Sequence, residues 1–225
     1  MIKSSIIILR NKIIIFRENS EGSMKIYDLT HKIENNMTVY CDAEKPEIKS
    51  IFSYEEDNFN VTYLGLTSHL GTHLDVPLHL IENGMDICDF PVAAFWGKGI
   101  CISFENLDTI DFDLIKNIDY LLIHTGWDKY WNEEKYFKNY PIISNKIVKK
   151  IADSHLKGIG IDCISPDNYD SCELKNHKLL LSSDKIIVEN LYSLENILNK
   201  EFYFLCMPLK IAIDGCPVRA VAIVE

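Results

Sequence analysis

Three of the seven histidines lie within eleven residues, in the segment His69-Leu-Gly-Thr-His73-Leu-Asp75-Val-Pro-Leu-His79. The three imidazoles and the carboxylate all occupy odd positions, and the even positions are aliphatic apart from Thr72. Because successive side chains of an extended chain point to opposite faces, this alternation places the four polar groups on one face. Imidazole and carboxylate together are ligands typical of zinc, manganese or iron(II). The segment therefore predicts a metal site rather than three structural histidines on an exposed face.

This segment cannot be one regular element. In a helix, His69 and His73 would share a face, but Asp75 would point away, and Gly71 and Pro77 oppose regular helix. In a straight strand, His69 and Asp75 would lie roughly 20 Å apart, whereas ligands of one ion lie within about 4 Å of each other. We therefore expect the chain to bend at Gly71 and Pro77. The residues alone do not separate metal ligand from general base among the three histidines.

Short β-type runs and short helical patterns alternate along the rest of the chain. The β-type runs cover 60–70, 100–104, 120–124, 158–164, 202–205 and 220–224, and the helical patterns cover 111–116, 145–155 and 193–198. In the second helical pattern, Ile147, Val148 and Ile151 fall on one face. With no internal repeat and no linker-like composition, the sequence predicts a single mixed α/β domain.

A polar break at 17–24 separates the first residues from a new pattern that begins at Met24. We expect residues 1–23 to be an extension that folding and activity do not need, and residues 24–225 to form the domain. The alternative is that residues 6–16 are edge strands of the sheet, with a turn at Asn11.

The chain has 225 residues, 47% of them hydrophobic and 25% charged, and a net charge of −10. A chain of this length buries enough surface to fold without a disulfide. The acidic balance argues against a nucleic-acid partner, because such binding depends on clustered Lys and Arg. Seven cysteines without a CxxC motif predict reduced thiols. No apolar run is long enough to cross a bilayer, so we expect a cytoplasmic protein without membrane contact.

Residues 69–79 match the pattern H-x-G-T-H-x-D-x-P-x-H of the cyclase family of metal-dependent hydrolases, which includes bacterial kynurenine formamidases. The resemblance extends from residue 26 to residue 224. His177 and Glu189 stand twelve residues apart, as a second metal-site pair of the family does. Further matching segments are His124-Thr-Gly-Trp127, Gly160-Ile-Asp162-Cys-Ile-Ser165-Pro-Asp167, Pro208-Leu-Lys210 and Asp214-Gly-Cys-Pro-Val-Arg219-Ala220.

The resemblance implies a swivelling β/β/α-type single domain, with a mixed sheet or barrel-like core flanked by helices. It also implies two divalent metal ions, Zn²⁺ in the first place and Mn²⁺ as the alternative. His69, His73 and Asp75 would hold one ion, and His177 and Glu189 the other, with Asp75 or Glu189 able to bridge them. Two such ions activate water and polarise a carbonyl oxygen.

His79 is the proton-transfer residue that the resemblance implies, a role that imidazole suits near neutral pH. The implied reaction is hydrolysis of a C–N bond in a small amide. The lead candidate is the arylformamidase reaction of tryptophan catabolism, in which N-formylkynurenine gives kynurenine and formate. The alternatives are hydrolysis or formation of a cyclic amide or lactone, as with isatin, and a metal-dependent small-molecule binding protein without turnover.

Two tryptophans, Trp127 and Trp131, are spaced i, i+4 and could line an aromatic substrate pocket; packing in the core is the alternative. Asp162 and Asp167 could orient ligating histidines, and Asp167, beside a proline, could instead serve a turn. Family members are commonly homodimers, so the resemblance implies a homodimer or a higher homo-oligomer.

The chain departs from the family pattern at two places. Family members usually have a segment similar to M-P-V-Y-P-G-D-P near the N-terminus. Here that segment reads Met37-Thr-Val-Tyr-Cys-Asp-Ala-Glu44, without the prolines and the glycine. Near the C-terminus, Cys216 replaces the usual serine. Neither change touches a predicted metal ligand. Both put the identity of the small-molecule substrate in question.

Overall fold

The computed structural model describes the backbone of Ile2–Leu9 and Lys12–Asn19, and residues 24–225. Short 3₁₀ turns connect many of the elements. The strands are β1 (Ile2–Leu9), β2 (Lys12–Asn19), β3 (Lys25–Asp28), β4 (Glu47–Phe52), β5 (Val61–Gly65), β6 (His73–Asp75), β7 (Trp96–Ser103), β8 (Tyr120–His124), β9 (Gly158–Ile161), β10 (Ile186–Glu189), β11 (Glu201–Leu205), β12 (Gly215–Pro217) and β13 (Val221–Val224). The α-helices are α1 (Tyr54–Asp57), α2 (Asn145–Ala152) and α3 (Lys175–Leu181).

Nine strands form one sheet in the order β12-β6-β10-β9-β8-β7-β11-β13-β3. Its centre, β7 to β10, is parallel, and the strands on both sides pair antiparallel. The sheet curls into a half-barrel, with few helices. The predicted fold class, a mixed α/β domain around a mixed, barrel-like sheet, is confirmed.

Central strands of this sheet are buried on both faces. Along β8, Leu121 and Ile123 belong to one hydrophobic core, while Tyr120 and Leu122 belong to the other. Such two-sided burial is typical of parallel strands. The first core is covered by apolar side chains of the two longer helices, Ile147, Val148 and Ile151 of α2 and Leu180 and Leu181 of α3.

Several predicted boundaries were wrong. The strand predicted over 60–70 ends at Gly65, and the chain then leaves the hairpin toward the histidine segment. Residues 111–116 form successive i→i+3 turns instead of a helix, and the third helical pattern is a 3₁₀ helix, Leu194–Ile197. Helix α3 was not predicted, because the buried polar residues Asn176 and His177 interrupt its apolar pattern.

Two hairpins stand outside the large sheet. Within the described part of the chain, strands β1 and β2 pair only with each other. The turn expected at Asn11 lies outside the described residues. That residues 1–23 are dispensable stays a prediction. Strands β4 and β5 form the second hairpin, which exposes apolar side chains such as Ile51, Tyr63 and Leu64. No helix in the described part of the chain is long and apolar enough to span a membrane.

Candidate metal centre

The histidine segment bends where the sequence predicts. Gly71 adopts φ +62°, a left-handed backbone conformation that favours glycine at this turn. The next residues form the short strand β6, after which Pro77–His79 turn into a 3₁₀ helix. Within β6 the predicted alternation holds, because Leu74 packs in the hydrophobic core and His73 and Asp75 share the opposite face.

Sheet pairing brings the second group of predicted ligands to the first. Strand β10 runs antiparallel to β6 and places Glu189, its last residue, directly opposite His73. Helix α3 follows the loop after β9 and carries His177. The backbone N–H of His177 donates to Asp167 at 2.9 Å, which fixes the start of this helix. The ligands therefore meet at the carboxyl edge of the parallel strands, where open α/β sheets place their sites.

The side chains of these residues converge on two adjacent positions. Around the first, Nδ1 of His69 lies 2.7 Å and Nε2 of His73 lies 3.3 Å from Oδ1 of Asp75. Around the second, Nε2 of His177 lies 3.1 Å from Oε1 of Glu189 and 3.7 Å from Oδ2 of Asp75. Glu189 also approaches the first position, with Oε2 at 3.5 Å from His73. Asp75 thus faces both positions with different oxygens.

Each of the three converging histidines has its remaining ring nitrogen bonded to an acceptor. His73 Nδ1 lies 2.8 Å from the Gly71 carbonyl, His177 Nδ1 lies 2.9 Å from Asp167, and His69 Nε2 lies 2.8 Å from Asp214. An N–H that donates outward fixes the tautomer and leaves the other nitrogen free to bind a cation. All three inward nitrogens face Asp75 or Glu189.

Three buried polar atoms at the two positions have no hydrogen-bond partner, and such atoms show whether a cation would fit there. Nε2 of His73, Oδ2 of Asp75 and Oε1 of Glu189 are such atoms. Leaving a buried polar atom unpaired costs about 1–3 kcal/mol, and more when it is charged. A divalent cation between these atoms would satisfy them, and their nitrogen and oxygen chemistry suits zinc or manganese. The residues present therefore fit a metal centre.

The pKa shifts reflect crowded negative charge. Burial opposes ionisation of Asp75, but His69 and His73 outweigh it and hold the pKa of Asp75 well below its usual range. Burial and then the neighbouring Asp75 raise the pKa of Glu189. Burial opposes protonation of His69, but Asp75 and Asp214 raise its pKa to about 10. A bound cation would offset this negative charge.

His79 lies beside the centre, and its ring centroid is 4.1 Å from that of His69 and 5.9 Å from that of His177. Burial lowers the pKa of His79, which favours the neutral imidazole. Its Nδ1 lies 3.5 Å from Oδ2 of Asp214, the oxygen that also accepts from His69. Sequence reasoning gave Asp214 no role, although the closing motif that resembles the family contains it.

A cavity of about 200 Å³ opens onto the centre. Trp131 forms part of its wall and stacks on His31, with ring centroids 3.9 Å apart and planes 9° apart. Trp127 lies outside the cavity lining, where its indole N–H donates to the Tyr136 carbonyl at 3.1 Å. The lining consists of Thr38, Val39, Tyr40, Glu44, His69, Gly71, His73, Asp75, His79, Trp131, Ile164, Ser165, Asn168, Tyr169, Leu174, His177, Glu189 and Asn190.

The two aspartates after β9 have different tasks. Asp167 accepts from His177 Nδ1 and so orients that ring, as one of the two interpretations expected. Asp162 contacts no predicted metal ligand by hydrogen bond; it accepts from the backbone N–H groups of Thr125 and Gly126 and from the Thr125 hydroxyl. Asp162 therefore fixes the loop after β8.

Comparison with known proteins identifies a family for this chain. The model of the putative cyclase family matches residues 27–168. An uncharacterized protein of Methanocaldococcus jannaschii is 37% identical over 203 residues, 89% of this chain and 100% of that protein. A kynurenine formamidase of Bacillus cereus is 27% identical over 202 residues, 86% of this chain and 95% of that protein.

Solved structures share the fold. An isatin hydrolase bound to the product analogue thioisatinate superposes with a TM-score of 0.77 at 23% identity, covering 90% of this chain and 93% of that one. A potential metal-dependent hydrolase with cyclase activity superposes with a TM-score of 0.76 at 23% identity. The match covers 90% of this chain and 99% of that one. The relatives with a named activity are hydrolases, which supports an enzyme. On its family match and its 37% relative, the chain belongs to the putative cyclase family.

Proposed function

We propose that this protein is a metal-dependent hydrolase that cleaves the C–N bond of a small amide, with an N-formyl aryl amine such as N-formylkynurenine as the lead substrate. The observation that carries the proposal is the set of unpaired, buried atoms on His73, Asp75 and Glu189. The 27% identity to kynurenine formamidases of Bacillus supports the reaction class.

Five residues would hold two divalent ions. His69, His73 and Asp75 would bind one through the atoms that already face each other, and His177, Glu189 and the second oxygen of Asp75 would bind the other. When bound, such ions lower the pKa of water and polarise a carbonyl oxygen. Asp167, Asp214 and the Gly71 carbonyl hold the three histidine rings in position.

His79 is the residue for proton transfer. Asp214 beside Nδ1 favours a proton on that nitrogen, which leaves Nε2 to exchange a proton with the reacting groups. His79 takes a proton from the attacking water and delivers one to the amine nitrogen as the C–N bond breaks. Its side chain is 25% exposed and lines the cavity, so a substrate can reach it.

Apolar parts of the cavity wall would hold the aryl group. Trp131, Ile164 and Leu174 line the cavity, and the stack of Trp131 on His31 keeps the indole in one orientation. Ligand pockets commonly combine such apolar walls with a few placed polar groups. The wall favours a flat substrate over a long peptide. Trp127 has no place in this proposal.

Turnover by metal-reconstituted protein tests the proposal. Protein stripped with a chelator is reloaded with Zn²⁺ or Mn²⁺ and assayed with formanilide, N-formylkynurenine, isatin and a lactone. We expect hydrolysis of the formamides that depends on the added metal. Faster turnover of isatin or the lactone would move the assignment to cyclic substrates. A hydrolysis rate that does not depend on the added metal would contradict the proposal. Absence of hydrolysis with every substrate would also contradict it and would favour a binding protein.

We further propose a homodimer and a dispensable N-terminal extension. The exposed apolar side chains of the β4–β5 hairpin support association, and the separation of β1 and β2 from the large sheet supports the extension. Sedimentation of the full chain and activity of a chain begun at Met24 test them. A monomer in sedimentation would contradict the homodimer. A clear loss of activity in the shortened chain would contradict a dispensable extension.

A further inference from the structure

One carboxylate in the cavity takes no part in the metal centre. Glu44 lines the cavity and is half-buried, and its Oε2 is buried without a hydrogen-bond partner. Its other oxygen has only the Cys41 thiol, at 3.9 Å. A buried carboxylate oxygen without a partner is costly. The unpaired oxygen of Glu44 indicates that a bound molecule supplies the missing hydrogen-bond donor.

The segment that carries Glu44 is fixed over the cavity by side-chain hydrogen bonds. Three hydrogen bonds join Thr38 and Asn132. The backbone N–H and the hydroxyl of Thr38 donate to Oδ1 of Asn132 at 2.9 and 3.1 Å, and the backbone N–H of Asn132 donates to the Thr38 hydroxyl at 2.8 Å. Tyr40 and Tyr169 each donate a hydroxyl to the backbone carbonyl of the other, at 3.1 and 2.8 Å. Glu44 ends the short 3₁₀ helix that follows. Its carboxylate is therefore held at the cavity wall rather than on a free loop.

No cation in the lining neutralises this carboxylate. Among the described residues that line the cavity there is neither lysine nor arginine, and the adjacent Lys45 pairs with Asp42 at 2.6 Å instead. Burial, and after it Tyr169 and Glu44, raise the pKa of Tyr40, which indicates that negative potential reaches the wall. The carboxylates of the metal centre, by contrast, all face histidines.

We propose that Glu44 is a specificity residue that selects substrates with a cationic or multiply N–H-donating group away from the reacting amide. The inference rests on the proposed hydrolase function of the same cavity. A charged donor on the substrate would complete the unpaired oxygen with a charge-assisted hydrogen bond. Glu44 stands where the family pattern has proline, so this preference would set the chain apart.

Binding of two molecules of equal shape tests the proposal without requiring turnover. Phenylguanidinium is a cation, and phenylurea is its neutral counterpart. Calorimetry with the metal-loaded full chain should show phenylguanidinium bound about 10-fold more tightly than phenylurea. Glu44→Gln should remove most of this difference and leave phenylurea unchanged, while Glu47→Gln, an exposed carboxylate paired with Lys49, should retain it. Equal affinity for both molecules in the wild type, or an unchanged preference in Glu44→Gln, would overturn the proposal.

Kinetics separate this inference from the proposed function. With 3-guanidinoformanilide and 3-ureidoformanilide, Glu44→Gln should lower kcat/KM for the guanidino compound about 10-fold and change the ureido compound less than 2-fold. If no formanilide is hydrolysed but the binding preference is present and depends on Glu44, the proposed reaction fails and the specificity assignment stands. If wild type and Glu44→Gln hydrolyse the guanidino and ureido compounds with equal kcat/KM, the proposed reaction stands and the assignment of Glu44 as a specificity residue fails.

Discussion

The two sides of the cavity are built in different ways. On the metal side, four of the five predicted ligands project from β6, β10 and α3, and His69 lies in the turn before β6. Each predicted histidine ligand is held by an acceptor on its outer nitrogen. On the opposite side, the wall is formed by the segment 37–44 and the loops around Trp131 and Tyr169, which side-chain hydrogen bonds hold together. The sheet therefore positions most of the predicted ligands, and loops form the opposite wall of the cavity.

This difference has a physical basis. A metal centre requires several atoms within a few tenths of an ångström of their positions, and strand pairing supplies that accuracy by setting Glu189 opposite His73. A substrate wall tolerates change, because loops accept substitution without loss of the sheet. The departures from the family pattern in 37–44, on the wall side, agree with this division.

Loss of a ligand on the metal side should have the largest effect. His73→Ala removes an inward nitrogen that faces both Asp75 and Glu189. We expect loss of tight metal binding and a fall in kcat/KM of about 1,000-fold or more, which corresponds to about 4 kcal/mol. His155→Ala is the control, since His155 bonds the Ile118 carbonyl far from the cavity. Wild-type metal content in His73→Ala would show that this histidine is not a ligand.

On the wall side, His31 should give a pH-dependent stability. Burial lowers the pKa of His31 to about 4, below the value of about 6.5 in an unfolded chain. Because the unfolded state then binds the proton first, the stability contributed by neutral His31 is present above about pH 6.5 and is lost as the pH falls toward 4. Between pH 7 and 4 the wild type should lose up to about 3 kcal/mol more than His31→Phe.

Urea denaturation of the metal-free wild type and His31→Phe over this pH range measures the difference. The phenyl ring preserves the stack on Trp131, so the two proteins should have similar stability at pH 7. An equal loss of stability in both proteins would contradict the burial of a neutral imidazole at this position.

A smaller effect is expected at Asp214, which contacts both the predicted ligand His69 and His79, the residue proposed for proton transfer. Asp214→Asn keeps the shape of the side chain but removes the charge that both rings face. Metal affinity should fall about 10-fold and kcat about 10- to 100-fold, as for other residues that orient metal ligands. Asp153→Asn, an exposed partner of Lys149, is the control. Unchanged kcat and unchanged metal affinity together would show that Asp214 has no role at the site.

The smallest effect should come from the wall. Tyr169→Phe removes the hydroxyl that donates to the Tyr40 carbonyl at 2.8 Å, a bond worth about 1 kcal/mol. We expect KM to rise about 5-fold while kcat and metal content stay at the wild-type values. Tyr54→Phe, on the exposed hairpin, should change none of these. A fall in kcat with unchanged KM would mean that the two sides of the cavity are not independent.

The bent backbone of the histidine segment could be predicted from the sequence, because its information is local. The alternation of polar and aliphatic residues from His69 to His79, with a glycine and a proline at the bends, was enough to predict the strand and its turns. The family resemblance added His177 and Glu189, which lie more than a hundred residues away along the chain. The pairing of β10 with β6 brings Glu189 within 4 Å of His73, and helix α3 brings His177 within 4 Å of Asp75.

The wall could not be predicted in the same way. Its contacts join loops with no periodic pattern, as between Tyr40 and Tyr169 or Thr38 and Asn132. The spacing of Trp127 and Trp131 suggested one aromatic face, but a 3₁₀ turn lies between them, and only Trp131 reaches the cavity. Asp214 was missed because an aspartate before glycine reads as an ordinary turn residue.

The most direct test of a two-ion centre is the metal content of Glu189→Gln. The change removes the negative charge of a residue that faces His73 and His177 and nearly preserves its shape. Elemental analysis of fully reconstituted protein should find two ions per wild-type chain and at most one tightly held ion in the variant. Formanilide hydrolysis should fall roughly 100-fold, about 2.7 kcal/mol, while Glu201→Gln behaves as wild type. One ion per wild-type chain, or near-wild-type turnover of Glu189→Gln with two ions bound, would contradict the account.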